Sequence, residues 1–258
     1  MNNDAIYKLL ADTIVMVGKK LLKETVEIDS YKNANDLLTK NDLAAERFII
    51  DKIKDSFPNI NIISEETFPN SLLEGICVVI DPLDGTCNFS VGNGLFGVQV
   101  ALFENGVCEF SAIYIPQSDK LFLAYHKKGA YLNGKRIYVK DLTARGGILL
   151  ISDYYDNVEI SMDKQFQLVK NNQNKFLKTR HFGAACIDFT NLAEGKAAAY
   201  ICYYSKLWDI APGLLLVQEA GLVCGMLDGG EYSRDRVGLV VANNSEILDM
   251  IITGYEKL

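Results

Sequence analysis

The chain is poor in the residues that announce many common chemistries. It has only two histidines, His126 and His181, far apart in sequence. That excludes a histidine-rich zinc site, and nothing beside either residue supports a histidine-based triad. The six cysteines (77, 87, 108, 186, 202 and 224) are scattered with no C-x-x-C. Several sit inside apolar runs, which reads as buried reduced thiols and not a disulfide framework. G-x-S-x-G and Walker A sequences are absent. No apolar run approaches the ~18 residues of a bilayer span. The opening Met1-Asn2-Asn3-Asp4 lacks a basic leader. We therefore expect a cytoplasmic protein with no membrane partner. The net charge of −7 speaks against a nucleic-acid polymer as partner, which would need a basic face.

Positive charge is missing from one stretch in particular. From Asp55 to Asp119 inclusive the chain carries nine acids and no Lys, Arg or His. Within it, the apolar run 77–80 reads as a buried strand that ends in Asp81-Pro82-Leu83-Asp84-Gly85-Thr86. Pro82 and Gly85 predict a turn there. Two acids delivered to the edge of a core need a counter-charge that local side chains cannot give. A hard divalent cation with oxygen ligands can, and Mg²⁺ is the usual one beside phosphate. Gly85 lets backbone N–H groups approach a ligand, and Thr86 adds a hydroxyl, so an anion cradle sits next to the acids. Acids for metal beside a cradle for phosphate are the two halves of a metal-assisted phosphoryl site.

What is present otherwise describes a layered α/β protein. With 258 residues and 49% apolar content, the chain can bury one large core or two lobes. Helical spacing runs over 4–23, through Ile6, Leu9, Leu10, Val17 and Leu21. A polar loop is expected at 33–41, then a helix carrying Leu43, Phe48, Ile49 and Ile53. Strands are expected at 60–63, 77–80, 98–104, 107–114 (a hairpin about Asn105-Gly106), 120–125 and 136–139. The polar segment 141–147 is the candidate boundary between lobes 1–143 and 144–258. Beyond it strands (148–151, 177–181, 197–201, 238–242) alternate with helices (162–171, 185–194, 209–220, 245–255).

Other acids stand at similar places. Glu65-Glu66 follows a short apolar strand, and Trp208-Asp209 opens an apolar helical run. Thr39-x-x-Asp42 has the form of a capping box, which explains both residues without chemistry. Gly92-Asn93-Gly94-Leu95-Phe96-Gly97 fits G-x-G-x-x-G, but a strand-like run follows it where a dinucleotide site needs a helix. Asp81 and Asp84 are one residue too far apart for the D-x-D of aspartyl-phosphate phosphatases.

These elements together resemble the inositol monophosphatase family of metal-dependent, lithium-sensitive phosphatases. The matching pieces are Asn35-Asp36-Leu37-Leu38-Thr39-Lys40-Asn41-Asp42, Glu65-Glu66, Asp81 through Phe89, the hairpin Gly129-Ala130-Tyr131-Leu132-Asn133-Gly134, and Trp208-Asp209. The resemblance implies an αβαβα sandwich, of the type shared with fructose-1,6-bisphosphatase, and usually a homodimer. It implies one Mg²⁺ on Glu65, Asp81, the Leu83 carbonyl and Thr86, and a second on Asp81, Asp84 and Asp209. A third, mobile ion would lie near Glu65, with Lys32 in a loop beside it. Thr86 paired with Asp42 would orient and activate the attacking water, a step in which Glu65 would be the third catalytic residue. The Gly85 and Thr86 N–H groups would cradle phosphate, while Asp84, Gly183, Ala185 and Asp209 would contact the rest of the substrate. Four carboxylates carry −4, which two Mg²⁺ ions cancel.

Departures from the family pattern are Ser64 for Gly, Cys87 for Thr, Pro212 for a small residue, and Cys202. Cys202 stands seven residues before Asp209, where inositol-selective members carry a polyol-binding Glu, and a thiol is a poor replacement. The expected activity is hydrolysis of inositol monophosphate or a similar small sugar or polyol phosphate. The alternatives are fructose 1,6-bisphosphate, NADP(H), 3′-phosphoadenosine 5′-phosphate or histidinol phosphate at the same site, or an interaction protein with a vestigial metal site.

Overall fold

Strands with one long apolar stretch and helices with one apolar face stack here in alternating layers. The computed structural model describes residues 3–33, 36–154, 160–204, 206–231, 233 and 237–258; of residues 3, 32, 33 and 36 only the backbone is described. The first half runs α1 (Asn3–Leu21), β1 (Ile28–Asn33), β2 (Asp36–Thr39), α2 (Lys40–Ser56), β3 (Asn61–Ser64), β4 (Ile76–Asp84) and α3 (Thr86–Ser90). A run of strands follows: β5 (Gly97–Glu104), β6 (Val107–Ile115), β7 (Lys120–Tyr125), β8 (Gly129–Leu132) and β9 (Lys135–Ile137). The second half alternates: β10 (Ile148–Ile151), α4 (Met162–Asn172), β11 (Lys178–Arg180), α5 (Ala185–Ala193), β12 (Ala197–Cys202), α6 (Leu207–Glu219), β13 (Val223–Met226), β14 (Leu239–Ala242) and α7 (Ser245–Glu256).

Strands β3 to β9 form one sheet in chain order, parallel only between β3 and β4. The other large sheet has the order β11-β10-β12-β14-β13. Helices α1 and α2 cover the outer face of the first sheet, setting Ile6, Leu10, Ile14, Ile49 and Ile53 against Val78, Ile80, Val98 and Val100. Helices α5 and α6 fill the middle, between Ile113 and Phe122 on one side and Leu150, Tyr200 and Val241 on the other. Helices α4 and α7 close the far face through Leu168, Ile247 and Ile251. The result is the expected αβαβα sandwich. Within the middle layer α6 lies so close to α5 that a Cβ on Gly213 would overlap the Phe189 ring.

Three local features differ from the sequence reading. The polar segment before α2 is a two-stranded ribbon, β1 paired with β2, not a loop. Its exposed residues carry no core face, so the alternation that marks a strand has nothing to record. The strand β4 continues through Pro82 to Asp84, past the expected turn, with its register against β5 broken between Asp81 and Asp84. The periodicity gives no sign of β13, whose Val-Cys-Gly-Met is short and holds a glycine.

Candidate active site

The parallel pairing of β3 with β4 sets Ser64 opposite Ile80. Glu65 and Asp81 therefore leave adjacent strands side by side. The break in β4 behaves as a bulge, which re-aims side chains at the end of a sheet. Asp81 is 1% exposed, and its Oδ1 accepts the Leu83 N–H at 3.1 Å. Asp84 reaches across to the other half of the chain. Its Oδ1 accepts the Ala185 N–H at 3.2 Å, and its Oδ2 accepts the Cys186 N–H at the start of α5. Gln99 on β5, paired with Asp81 in register, donates from Nε2 to Asp81 Oδ2 at 3.3 Å and to Asp84 Oδ2 at 3.1 Å.

Asp42 does more than cap α2. Its Oδ2 accepts the Thr39 N–H at 2.8 Å and the Thr39 hydroxyl. Its Oδ1 lies 3.0 Å from Thr86 Oγ1, which is also 3.0 Å from the Leu83 carbonyl. A hydroxyl has one proton for these two acceptors, so a Thr86 lone pair stays available. Gly85 makes this geometry reachable. Its φ of +92° is left-handed, and a Cβ there would lie 2.7 Å from the Leu95 carbonyl oxygen. Asn88 fastens the same segment, its Nδ2 donating to the Phe182 carbonyl at 2.7 Å and the Leu95 carbonyl at 2.9 Å.

Asp209 stands in the first turn of α6 and accepts the Lys206 N–H at 2.9 Å. Trp208 anchors that turn among Ile63, Val79 and Ala101. The loop after β3 is held from below: Glu46, fully buried on α2, accepts the Glu66 N–H at 2.8 Å.

The acids strain against one another. Burial, then Glu65, Asp84 and Asp209, hold the Asp81 carboxyl well above its ordinary range, against a smaller lowering by Gln99. Burial lifts Asp84 to about 6, although the Cys186 and Ala185 N–H groups oppose it. Asp188, buried on α5, is raised by burial and by Asp84 and Asp153. Burial and then Asp84 also push the Cys186 thiol up, so that cysteine is no nucleophile. Hard oxygen donors with surplus negative charge suit Mg²⁺, and buried Glu46 Oε1 and Gln99 Oε1 have no hydrogen-bond partner. Among the described residues no three acids are gathered closely enough to enclose an ion. The donor chemistry fits, and the Gln99 amide lies between the carboxylates.

The structure thus gathers Glu65, Asp81, Asp84 and Asp209 within electrostatic reach, and links Asp42, Thr86 and Leu83 by hydrogen bonds. Gly183 and Ala185 flank the same place, with the Ala185 N–H committed to Asp84 and the Gly183 carbonyl 3.2 Å from Asn88 Nδ2. Cys202 is buried, its Sγ 3.6 Å from the Tyr204 carbonyl. The Lys32 side chain lies outside the described residues. Sequence reasoning missed Gln99, Glu46 and Asp188, and gave Asn88, which lies within the Asp81 to Phe89 motif, no role of its own. Gln99 left a trace, as one amide inside the apolar run Val98 to Phe103. Glu46 left another, one helical turn after Asp42 on the same face.

A family profile described as the inositol monophosphatase family matches residues 4–257. The chain is 32% identical over 239 residues to an inositol-1-monophosphatase of Bacillus subtilis, covering 91% of this chain and 89% of that one. It is 36% identical over 208 residues to Nus factor SuhB of Pasteurella multocida, covering 79% and 77%. The crystal structure of extragenic suppressor protein suhB from Bartonella henselae superposes with a TM-score of 0.88 at 24% identity, covering 98% and 99%. The chain belongs to the inositol monophosphatase family.

Proposed function

We propose that the protein is a Mg²⁺-dependent phosphomonoesterase acting on a small sugar or polyol phosphate. One observation carries the reading: Asp81 is buried, and among the described residues the charged groups that act on it are the carboxylates of Glu65, Asp84 and Asp209. A buried cluster of like charge is costly unless a cation accompanies it. Glu65, Asp81, Asp84, Asp209, the Leu83 carbonyl and Thr86 would hold two Mg²⁺ ions, with a third near Glu65. When bound, the metal neutralises the phosphate and polarises its oxygens.

The remaining steps belong to side chains. Thr86 Oγ1 would accept a proton from the attacking water while passing its own to Asp42 Oδ1. Thr39 holds Asp42 Oδ2, so only Oδ1 faces the hydroxyl. The Gly85 and Thr86 N–H groups would cradle the phosphate, and no protein nucleophile is needed. Cys202 offers its thiol to a backbone carbonyl, which supports a leaving group other than inositol. Phosphate release should be measured on inositol 1-phosphate, fructose 1,6-bisphosphate, NADP(H), 3′-phosphoadenosine 5′-phosphate and histidinol phosphate, with Mg²⁺ and with EDTA. No Mg²⁺-dependent turnover of any phosphomonoester refutes the proposal.

The 36% identity to a protein named a Nus factor favours one second reading, an interaction protein with a vestigial site. That reading expects a melting temperature indifferent to Mg²⁺, whereas an enzyme site should be stabilised by the ion it binds.

A further inference from the structure

The side chain of Gln99 is fully buried at the centre of the acidic cluster. Its Nε2 lies 3.3 Å from Asp81 Oδ2, 3.1 Å from Asp84 Oδ2 and 3.3 Å from the Asp209 carbonyl oxygen. Two N–H bonds thus serve three acceptors on two elements: Asp81 and Asp84 on either side of the break in β4, and the Asp209 carbonyl in α6. The other end of the amide is the opposite. Its Oε1 is buried and has no hydrogen-bond partner. Leaving a buried acceptor unpaired is unfavourable, because its lost hydration is not replaced. The reverse orientation would aim Oε1 at three oxygens and is worse while only oxygens surround it. A cation among these acids inverts that preference. It repels the N–H groups, and it gives Oε1 a partner of the hard oxygen-seeking kind.

We propose that Gln99 is a cation-responsive positioning residue. Its amide N–H groups stand in for the metal among Asp81, Asp84 and Asp209, and the amide turns over to present Oε1 when Mg²⁺ binds. The inference rests on the metal reading above and adds to it a residue outside the family's ligand set given above. It also explains why an amide, with a donor end and an acceptor end on one rotor, occupies a strand that is otherwise apolar from Val98 to Phe103.

The test uses Mg²⁺ alone, without substrate. Mg²⁺ affinity is measured by calorimetry and by melting temperature for wild type, Gln99→Leu and Gln99→Glu. The Gln99→Leu variant should melt lower in EDTA, having lost the N–H groups, and bind Mg²⁺ about tenfold or more weakly, having lost Oε1. The Gln99→Glu variant should be the least stable of the three in EDTA at pH 7.5 yet bind Mg²⁺ at least as tightly as wild type. A role confined to packing would shift melting equally with and without Mg²⁺. In the wild type, the Gln99 side-chain amide resonance should move on Mg²⁺ addition, a readout that survives if a variant fails to fold. Tighter Mg²⁺ binding by Gln99→Leu, unchanged affinity in both variants, or an amide resonance indifferent to saturating Mg²⁺ overturns the inference. A wild type that does not bind Mg²⁺ overturns instead the metal site itself.

Discussion

The metal-free protein should lose stability as pH rises from mildly acidic to neutral, and Asp84 gives the size of the effect. Burial moves its carboxyl from 3.8 to about 6. The folded state therefore holds a proton on Asp84 that the unfolded chain has released, and stability falls with pH across that window. Below 3.8 both states are protonated and the penalty is absent; above 6 it is complete. A displacement of about two pH units corresponds to about 3 kcal/mol at most, of which about 2 kcal/mol falls between pH 4.5 and 7.5. Asp84 keeps some solvent exposure, so these are upper figures. Asp81 and Asp188, also raised, act in the same direction. Glu194, where burial pushes up but the bonds to Lys120 and Lys196 together bring a net lowering, acts oppositely near the bottom of the range. Comparison with Asp84→Asn isolates the part that depends on Asp84, because the substitution removes its titration and eases the push of its charge on Asp81 and Asp188. The assay is urea unfolding in EDTA at half-unit pH steps, repeated in saturating Mg²⁺. Wild type should show the steeper decline in EDTA, and Mg²⁺ should recover the loss at neutral pH. Equal slopes for wild type and Asp84→Asn, or a wild type that gains stability from pH 4.5 to 7.5, would refute the reasoning.

Other expectations concern single side chains. Asp42→Asn should lower kcat about 100-fold or more while keeping the Mg²⁺-induced rise in melting temperature, since Asp42 faces Thr86 and serves no proposed metal ligation. Asp209→Ala should abolish one Mg²⁺ equivalent by calorimetry and reduce kcat severely; near-normal turnover would remove Asp209 from the site. Glu46→Ala should weaken Mg²⁺ binding about tenfold by releasing the Glu66 N–H and the loop that carries Glu65. Gly213→Ala should lower the melting temperature by driving a methyl into Phe189 between α5 and α6, at a cost of about 1–3 kcal/mol or more in chemical unfolding.

Much of the site could be read from the linear order because its parts are local. Asp81-Pro82-Leu83-Asp84-Gly85-Thr86 holds two acids, a hydroxyl and a left-handed glycine within six residues. The capping box of Thr39 and Asp42 was legible too, and the family resemblance, not the box, joined Asp42 to Thr86. The ribbon before α2 and the strand β13 were illegible, since neither leaves a face whose burial imprints a period of two. The ties between halves were equally hidden: Asp84 bonds to residues 101 and 102 positions away, and no local pattern encodes such a distance.

The sequence by itself determined the layer pattern, the family and the acids to watch, because periodicity and short motifs act over a few residues. Only the tertiary structure decided that β3 lies parallel to β4, bringing Glu65 beside Asp81, and that Gln99 sits with its N–H groups among the carboxylates. Those outcomes depend on strand register and on which buried polar atoms find partners, and both are settled when the whole core closes.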